Sequence, residues 1–290
     1  MKIKSLIFTI FAAMISFVAC DVVPEDDRLI DMPLNQSDRT VLLIEFTGNR
    51  FVNCPGAAMV ANEMMDIAPE NIVVVGMHPE GIAYTDPMIA EVDLRSKEAM
   101  EYLSYYGGSV STGLPVGVIN GRKFNNTYLL GSTTWTANVF AQREIAPDCL
   151  VKLNHSVENG NHTVVAQLEP QATMDYEVSL QYWLVESGIV GPQSIAENLK
   201  ASYKAKHPDA QMGHSSVNNY VHNHVFRGAL NGLWGTELGK VAEVTTNSCT
   251  FSIDEKYVAD NCSVVAVLIN TETKEVVQAA EIALGAGAGH

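Results

Sequence analysis

The sequence is poor in cations, in cysteine and in long apolar runs. Its 290 residues carry 18 Lys+Arg against 33 Asp+Glu, a formal net charge of −15 and a pI near 4.8. A protein that neutralises phosphates must concentrate cations, so this balance excludes a nucleic-acid partner. Five cysteines are too few for a disulfide scaffold at this length. There is no Gly-x-Ser-x-Gly string, no phosphate-cradling P-loop and no dinucleotide fingerprint, so no cofactor is expected. Beyond residue 20 no segment approaches the roughly 20 apolar residues of a spanning helix. What is present is a chain 47% apolar and 18% charged, a folded composition. Its length exceeds what one core usually fills, which predicts two domains.

The first residues form an address. A basic head, Met1-Lys2-Ile3-Lys4, precedes an uncharged run from Ser5 to Ala19, too short to span a bilayer and suited to a secretory signal. The run ends Phe17-Val18-Ala19-Cys20, which resembles a bacterial lipobox, in which the cysteine sulfur is acylated and the signal (1–19) is removed. Two or more acyl chains, palmitate among them, suffice for stable anchoring, so the membrane is an expected partner. Residues 20–38 hold Asp21, Pro24, Glu25, Asp26, Asp27 and Pro33 and few large apolar groups, the composition of a tether. Acidic residues after the lipidated cysteine resemble the surface-export signals of Bacteroidota lipoproteins.

Residues 39–148 are expected to form an α/β unit. Val41–Phe46 and Ile72–Gly76 are short apolar runs, as in strands buried on both faces. Pro55 opens a helical stretch, and Ser96 with Glu98 marks the start of a helix reaching Tyr106. Leu114-Pro115 enters a strand to Ile119, Asn120-Gly121 is a hairpin turn into Arg122-Lys123-Phe124, and a last helix runs from Thr134 to Ala146. This order, with Phe51-Val52-Asn53-Cys54-Pro55 at a helix start and Pro115 before a later strand, looks like a thioredoxin-like domain. In that fold a Cys-x-x-Cys pair faces a cis-proline. Here Phe51 occupies the first cysteine's place, so Cys54 matches only the resolving thiol, and a resolver without an attacker cannot turn over a dithiol cycle. Cys54 is then a small hydrophobe at a helix start, and Pro115 a turn device; a single-thiol redox role for Cys54, with Pro115 beside it, is the alternative.

From residue 149 to 285 the pattern becomes short strands, at 163–168, 176–186, 249–253, 263–269 and 274–279, separated by turn signals such as Glu158-Asn159-Gly160-Asn161. This predicts an antiparallel β-sandwich. A polar, partly helical insertion at 194–219 carries Lys200, Lys204 and Lys206, and residues 286–290 form a Gly/Ala tail. Cys249 and Cys262 could bridge neighbouring strands, whereas Cys149 has no evident partner.

The string Tyr220–Arg227, the segments Trp183–Val190 and Leu233–Leu238, and the degenerate Phe51–Pro55 segment are together similar to the 28-kDa outer membrane protein-related lipoprotein family of Bacteroidota. The resemblance implies an outer-membrane location, facing the periplasm or the cell surface, and no established reaction. His222 and His224, two apart on a strand, would share a face, with His207 or His214 as a third neighbour. Without a carboxylate or cysteine at ligand spacing, no metal is expected. A hydrogen-bonded polar row, with Arg227 paired to a carboxylate, is the preferred reading. Trp183 and Trp234 read as core or interface anchors. The expectation is a lipid-anchored, non-catalytic binding or structural protein with an unidentified protein partner; the alternative is an envelope thiol redox protein.

Overall fold

The computed structural model describes residues 37–285, so the signal, Cys20, nearly all of the tether and the tail lie outside the described residues. Strand β1 (Val41–Phe46) is buried along its whole length, as an apolar run covered on both faces should be. Helix α1 (Cys54–Ile67) carries Pro55 in its first turn, where a missing N–H leaves no bond unmade. It leads to β2 (Ile72–Pro79), parallel to β1. After β3 (Arg95–Ser96), helix α2 (Lys97–Tyr105) starts at Ser96, whose hydroxyl accepts from the Ala99 N–H. The Leu114–Pro115 peptide is cis and enters β4 (Val116–Ile119), antiparallel to β1. Asn120 and Gly121 form the expected turn, with φ of 48° and 60°. No hairpin strand follows over 122–124; Leu130 pairs with Gly117 instead. Helix α3 (Trp135–Arg143) is shorter than expected.

The second half is richer in strands than its sequence suggests. It contains β5 (Cys149–Glu158), β6 (Asn161–Pro170), β7 (Val178–Glu186), β8 (Ile189–Ser194), β9 (Ser216–His222), β10 (Val225–Ala229), β11 (Thr236–Gly239), β12 (Thr245–Phe251), β13 (Cys262–Asn270) and β14 (Val276–Ala283). Helix α4 (Lys200–Lys206) lies in the polar insertion between β8 and β9, which pair only with each other.

The main sheet runs β14-β13-β7-β10-β2-β1-β4, with β11 also on β7 and β3 on β2. It crosses residue 149. Strands from both halves meet where Val225 of β10 pairs in parallel with Gly76 of β2. Ser37 and Asp38, at the expected end of the tether, are already docked: Ser37 Oγ donates to the Arg143 carbonyl and Gln278 Nε2 to that of Asp38. The three-stranded sheet β12-β6-β5 packs through Val164, Ala166 and Leu168 against Leu180, Tyr182 and Val264 of the main sheet. Trp183 and Val185, on the opposite face of β7, pack with Tyr102 and Leu103 of α2. This two-sided cover is why β7 is buried at all nine positions. The fold is mixed α/β, mostly β, with several sheets.

Two expectations fail. Cys249 and Cys262 form no bridge: both thiols are free, because β12 pairs with β6 in the small sheet while β13 pairs with β7 and β14 in the large one. Nor is Tyr220–Arg227 one strand. His224 takes a left-handed conformation (φ 56°), ending β9 at His222 and sending β10 into a different sheet.

Candidate functional site

The loop Thr47–Asn53 joins β1 to α1 and sets Cys54 on the first turn of the helix. A helix N-terminus ordinarily lowers a thiol's pKa through its dipole. Here burial wins. Cys54 is 3% exposed, and desolvation, reinforced by the Glu45 carboxyl, pushes its thiol up to about 12. Thr47 lies between these two groups and hydrogen-bonds to each. At neutral pH the thiol therefore stays protonated, and the thiol is a far weaker nucleophile than the thiolate. Phe51 takes the Cys54 N–H on its carbonyl and packs its ring 5.1 Å from that of Tyr84.

Glu45 is the residue that sequence reasoning passed over. It sits in the middle of a strand covered on both faces, 5% exposed, and burial raises its carboxyl to about 8. The signal was available, since a carboxylate inside a run buried on both faces must stay neutral or find a cation. Glu45 and Cys54 line a chamber of about 60 Å³ together with His78, Gln193, Tyr220 and His222. His78 and His222 are 3% and 5% exposed, their ring centroids 6.3 Å apart. Burial and the nearby Arg227 charge hold His222 down to about 4, and burial and His222 hold His78 well below the usual imidazole range. Both are neutral at pH 7. Hydrogen bonds from the His222 ring to the carbonyls of Gly191 and Pro192 leave Nε2 without a partner; His78 Nδ1 and Glu45 Oε1 are also unpaired.

His222 and His224 do not share a strand face, because the backbone turns between them. Among the described residues no three His, Cys, Asp or Glu side chains are placed to hold a metal ion. His207 borders a separate cleft beside Met59 and Glu63 of α1, outside the chamber, and His214 lends its carbonyl to Lys200 Nζ.

Arg227 does pair with a carboxylate. Its Nε donates to Glu186 Oε2 at 2.8 Å, with side-chain exposures of 9% and 4%. Glu186 Oε1 accepts the Val258 N–H, Arg227 Nη1 donates to the Asp93 carbonyl, and the guanidinium lies 4.8 Å over the Tyr257 ring. Both carboxylate oxygens of this buried pair, and two of the three guanidinium nitrogens, thus have named partners. Trp183 is a core residue whose Nε1 donates to the Tyr102 hydroxyl and Gln181 Oε1, while Trp234 is half-buried with Lys274 Nζ 5.1 Å over its ring. Pro115 stands at the start of β4, and Leu114 before it packs in the same core as Cys54.

Residues 99–287 match the family described as outer membrane protein Omp28. No curated protein matches the sequence. Among solved structures, HBP35 of Porphyromonas gingivalis superposes with a TM-score of 0.62 at 15% identity, covering 86% of this chain and 76% of its own. A protein from Agrobacterium tumefaciens superposes with a TM-score of 0.50 at 13% identity, covering 87% of this chain and 97% of its own. A domain of the outer membrane lipoprotein Omp28 from Porphyromonas gingivalis aligns at 17% identity over 48% of this chain and 89% of that domain, with a TM-score of 0.32. For the first two structures, at 15% and 13% identity, the likeness is one of fold alone.

Proposed function

The chain belongs to the Omp28 family of outer membrane proteins, and from that premise we propose that it is a lipid-anchored, non-catalytic binding or structural module. Cys20, behind its basic head and uncharged run, is the acyl acceptor in this reading. No helix among the described residues is long and apolar enough to cross a membrane. The region of β1, β2, β4 and helices α1 to α3 serves as a thioredoxin-like interaction platform. The β-sandwich of β5, β6 and β12 against β7, β13 and β14 serves as a spacer or adhesion element for a protein partner.

The state of Cys54 carries this reading. A thiol raised to about 12, 3% exposed and preceded by Phe51 where an attacking cysteine would stand has neither the charge nor the access for disulfide exchange. The test is insulin reduction by the mature protein and by Phe51→Cys. The unmutated protein is expected to show no turnover. Turnover abolished by Cys54→Ala would overturn the proposal in favour of a single-thiol redox role. A pull-down from envelope extracts with the acylated protein would identify the partner, and proteolysis of intact cells the face it occupies.

A further inference from the structure

The main sheet is interrupted by an excursion that leaves it after Gly188 and rejoins it at His224. Both ends have left-handed backbone, φ 74° and 56°, and the Gly188 N–H donates to Asn223 Oδ1 at 2.9 Å, so exit and return lie side by side. Between them, residues 189–222 build their own two-stranded sheet, helix α4 and a small apolar core of Ile195, Tyr203, Ala210 and Val217. From the rest of the chain, Met59 of α1 packs against that core.

The inner face of the excursion lies across the loop that carries Cys54. The Ser194 N–H donates to the Asn49 carbonyl at 2.8 Å and the Ala196 N–H to that of Val52 at 2.9 Å. Gln193 Nε2 reaches the carbonyls of Gly48 and Phe51 at 3.3 and 3.2 Å. Leu199 presses so close to Gly56 that a Cβ there would meet its Cδ1 at 3.0 Å. Beneath this cover is the chamber, in which Glu45 Oε1, His78 Nδ1 and His222 Nε2 are buried without hydrogen-bond partners. A cleft of about 660 Å³ bordered by Asn62, His207 and Asn223 lies outside the chamber and shares Asn62 and Asn223 with its lining.

We propose that residues 189–222 are a lid, hinged at Gly188 and His224, whose opening exposes Cys54 and the polar chamber while the main sheet stays folded. The lid's own apolar core travels with it, so opening breaks the hydrogen bonds named above and the Lys206–Glu63 ion pair and uncovers Met59, Leu199 and Cys54, while the cores on the main sheet stay packed. Segments of this kind open well below the global unfolding free energy. The reading is independent of the non-catalytic role: lid opening is measured by labelling and catalysis by turnover, so either can fail alone.

The test is native-state labelling of the unmutated mature protein with iodoacetamide across sub-denaturing urea, with each cysteine quantified by mass spectrometry. Cys149 on β5 of the three-stranded sheet and Cys262 on β13 of the main sheet, both 0% exposed, report global unfolding. Cys54 is expected to label at least about tenfold faster than either, with a clearly shallower urea dependence, because lid opening exposes less surface than global unfolding. Amide exchange at Ser194 and Ala196 should follow the Cys54 rate, with β1 far slower. A Cys54 rate and urea slope equal to those of Cys149 and Cys262 would overturn the proposal. So would fast labelling of Cys54 without matching exchange at Ser194 and Ala196.

Discussion

The backbone N–H of Gly76 donates to the carbonyl of His224 at 2.7 Å, and this bond joins the two halves of the chain into one sheet. The left-handed turn at His224 aims that carbonyl at β2, and Val225 then pairs with Gly76. The inter-half seam combines this backbone bonding inside a buried sheet with the packing of Trp183 and Val185 on Tyr102 and Leu103 and with the Arg39 guanidinium, whose nitrogens donate to the carbonyls of Val276 and Val277.

Division at residue 149 should then give two pieces that do not fold alone. A 37–148 fragment loses β10 from beside β2, and a 149–285 fragment leaves an edge of β10 unpaired. Calorimetry of the intact protein should show one cooperative transition, and neither fragment should show one. A fragment with its own sharp transition would contradict the continuous seam.

Glu45 makes stability fall at alkaline pH. Its carboxyl is raised to about 8 when folded, so its contribution is fully present below about pH 4.5 and is lost as pH rises through 8. The slope is at most about 1.4 kcal/mol per pH unit. Glu45→Gln should remove that slope in urea unfolding between pH 6 and 9. An identical profile in both proteins would show that Glu45 finds a charge partner or water on ionisation.

His222 acts in the opposite direction. Its imidazole is held down to about 4, so its contribution is present above about pH 6.5 and is lost as pH falls through 4. His222→Gln should flatten the acid limb of the urea midpoint. Between about pH 4.5 and 6.5 the two groups oppose each other, so the variants resolve them and the unmutated profile does not.

The Arg227–Glu186 pair should be costly to break and cheap to replace. Arg227→Met leaves Glu186 buried and unpaired and should destabilise by about 3–5 kcal/mol, whereas Arg227→Met with Glu186→Leu should recover much of that loss. A double-mutant cycle measures the difference. Equal losses in the single and double variants would mean that the Val258 and Asp93 backbone contacts, rather than the charge pair, hold this corner.

Local backbone features were legible in the sequence because they depend on neighbouring residues. The apolar run Val41–Phe46, the Ser96 cap, the helix start at Pro55 and the positive-φ turns at Asn120-Gly121 and Asn159-Gly160 are settled by a few adjacent residues. Arg227's need for a carboxylate followed from the cost of burying a lone charge, although its partner Glu186 did not. The strand expected through His222 and His224 failed because alternation alone cannot reveal that one residue turns left-handed to let two sheets diverge.

By itself the sequence determined where chain direction and local conformation change, and that Cys54 lacks an attacking partner at position 51. Tertiary structure alone decided the chemistry of Cys54. The helix start would lower its pKa, but Gln193, Tyr220 and His222, more than a hundred residues away in sequence, close over it and remove the water that a thiolate needs. Burial is a sum over the whole fold, and no local pattern encodes it.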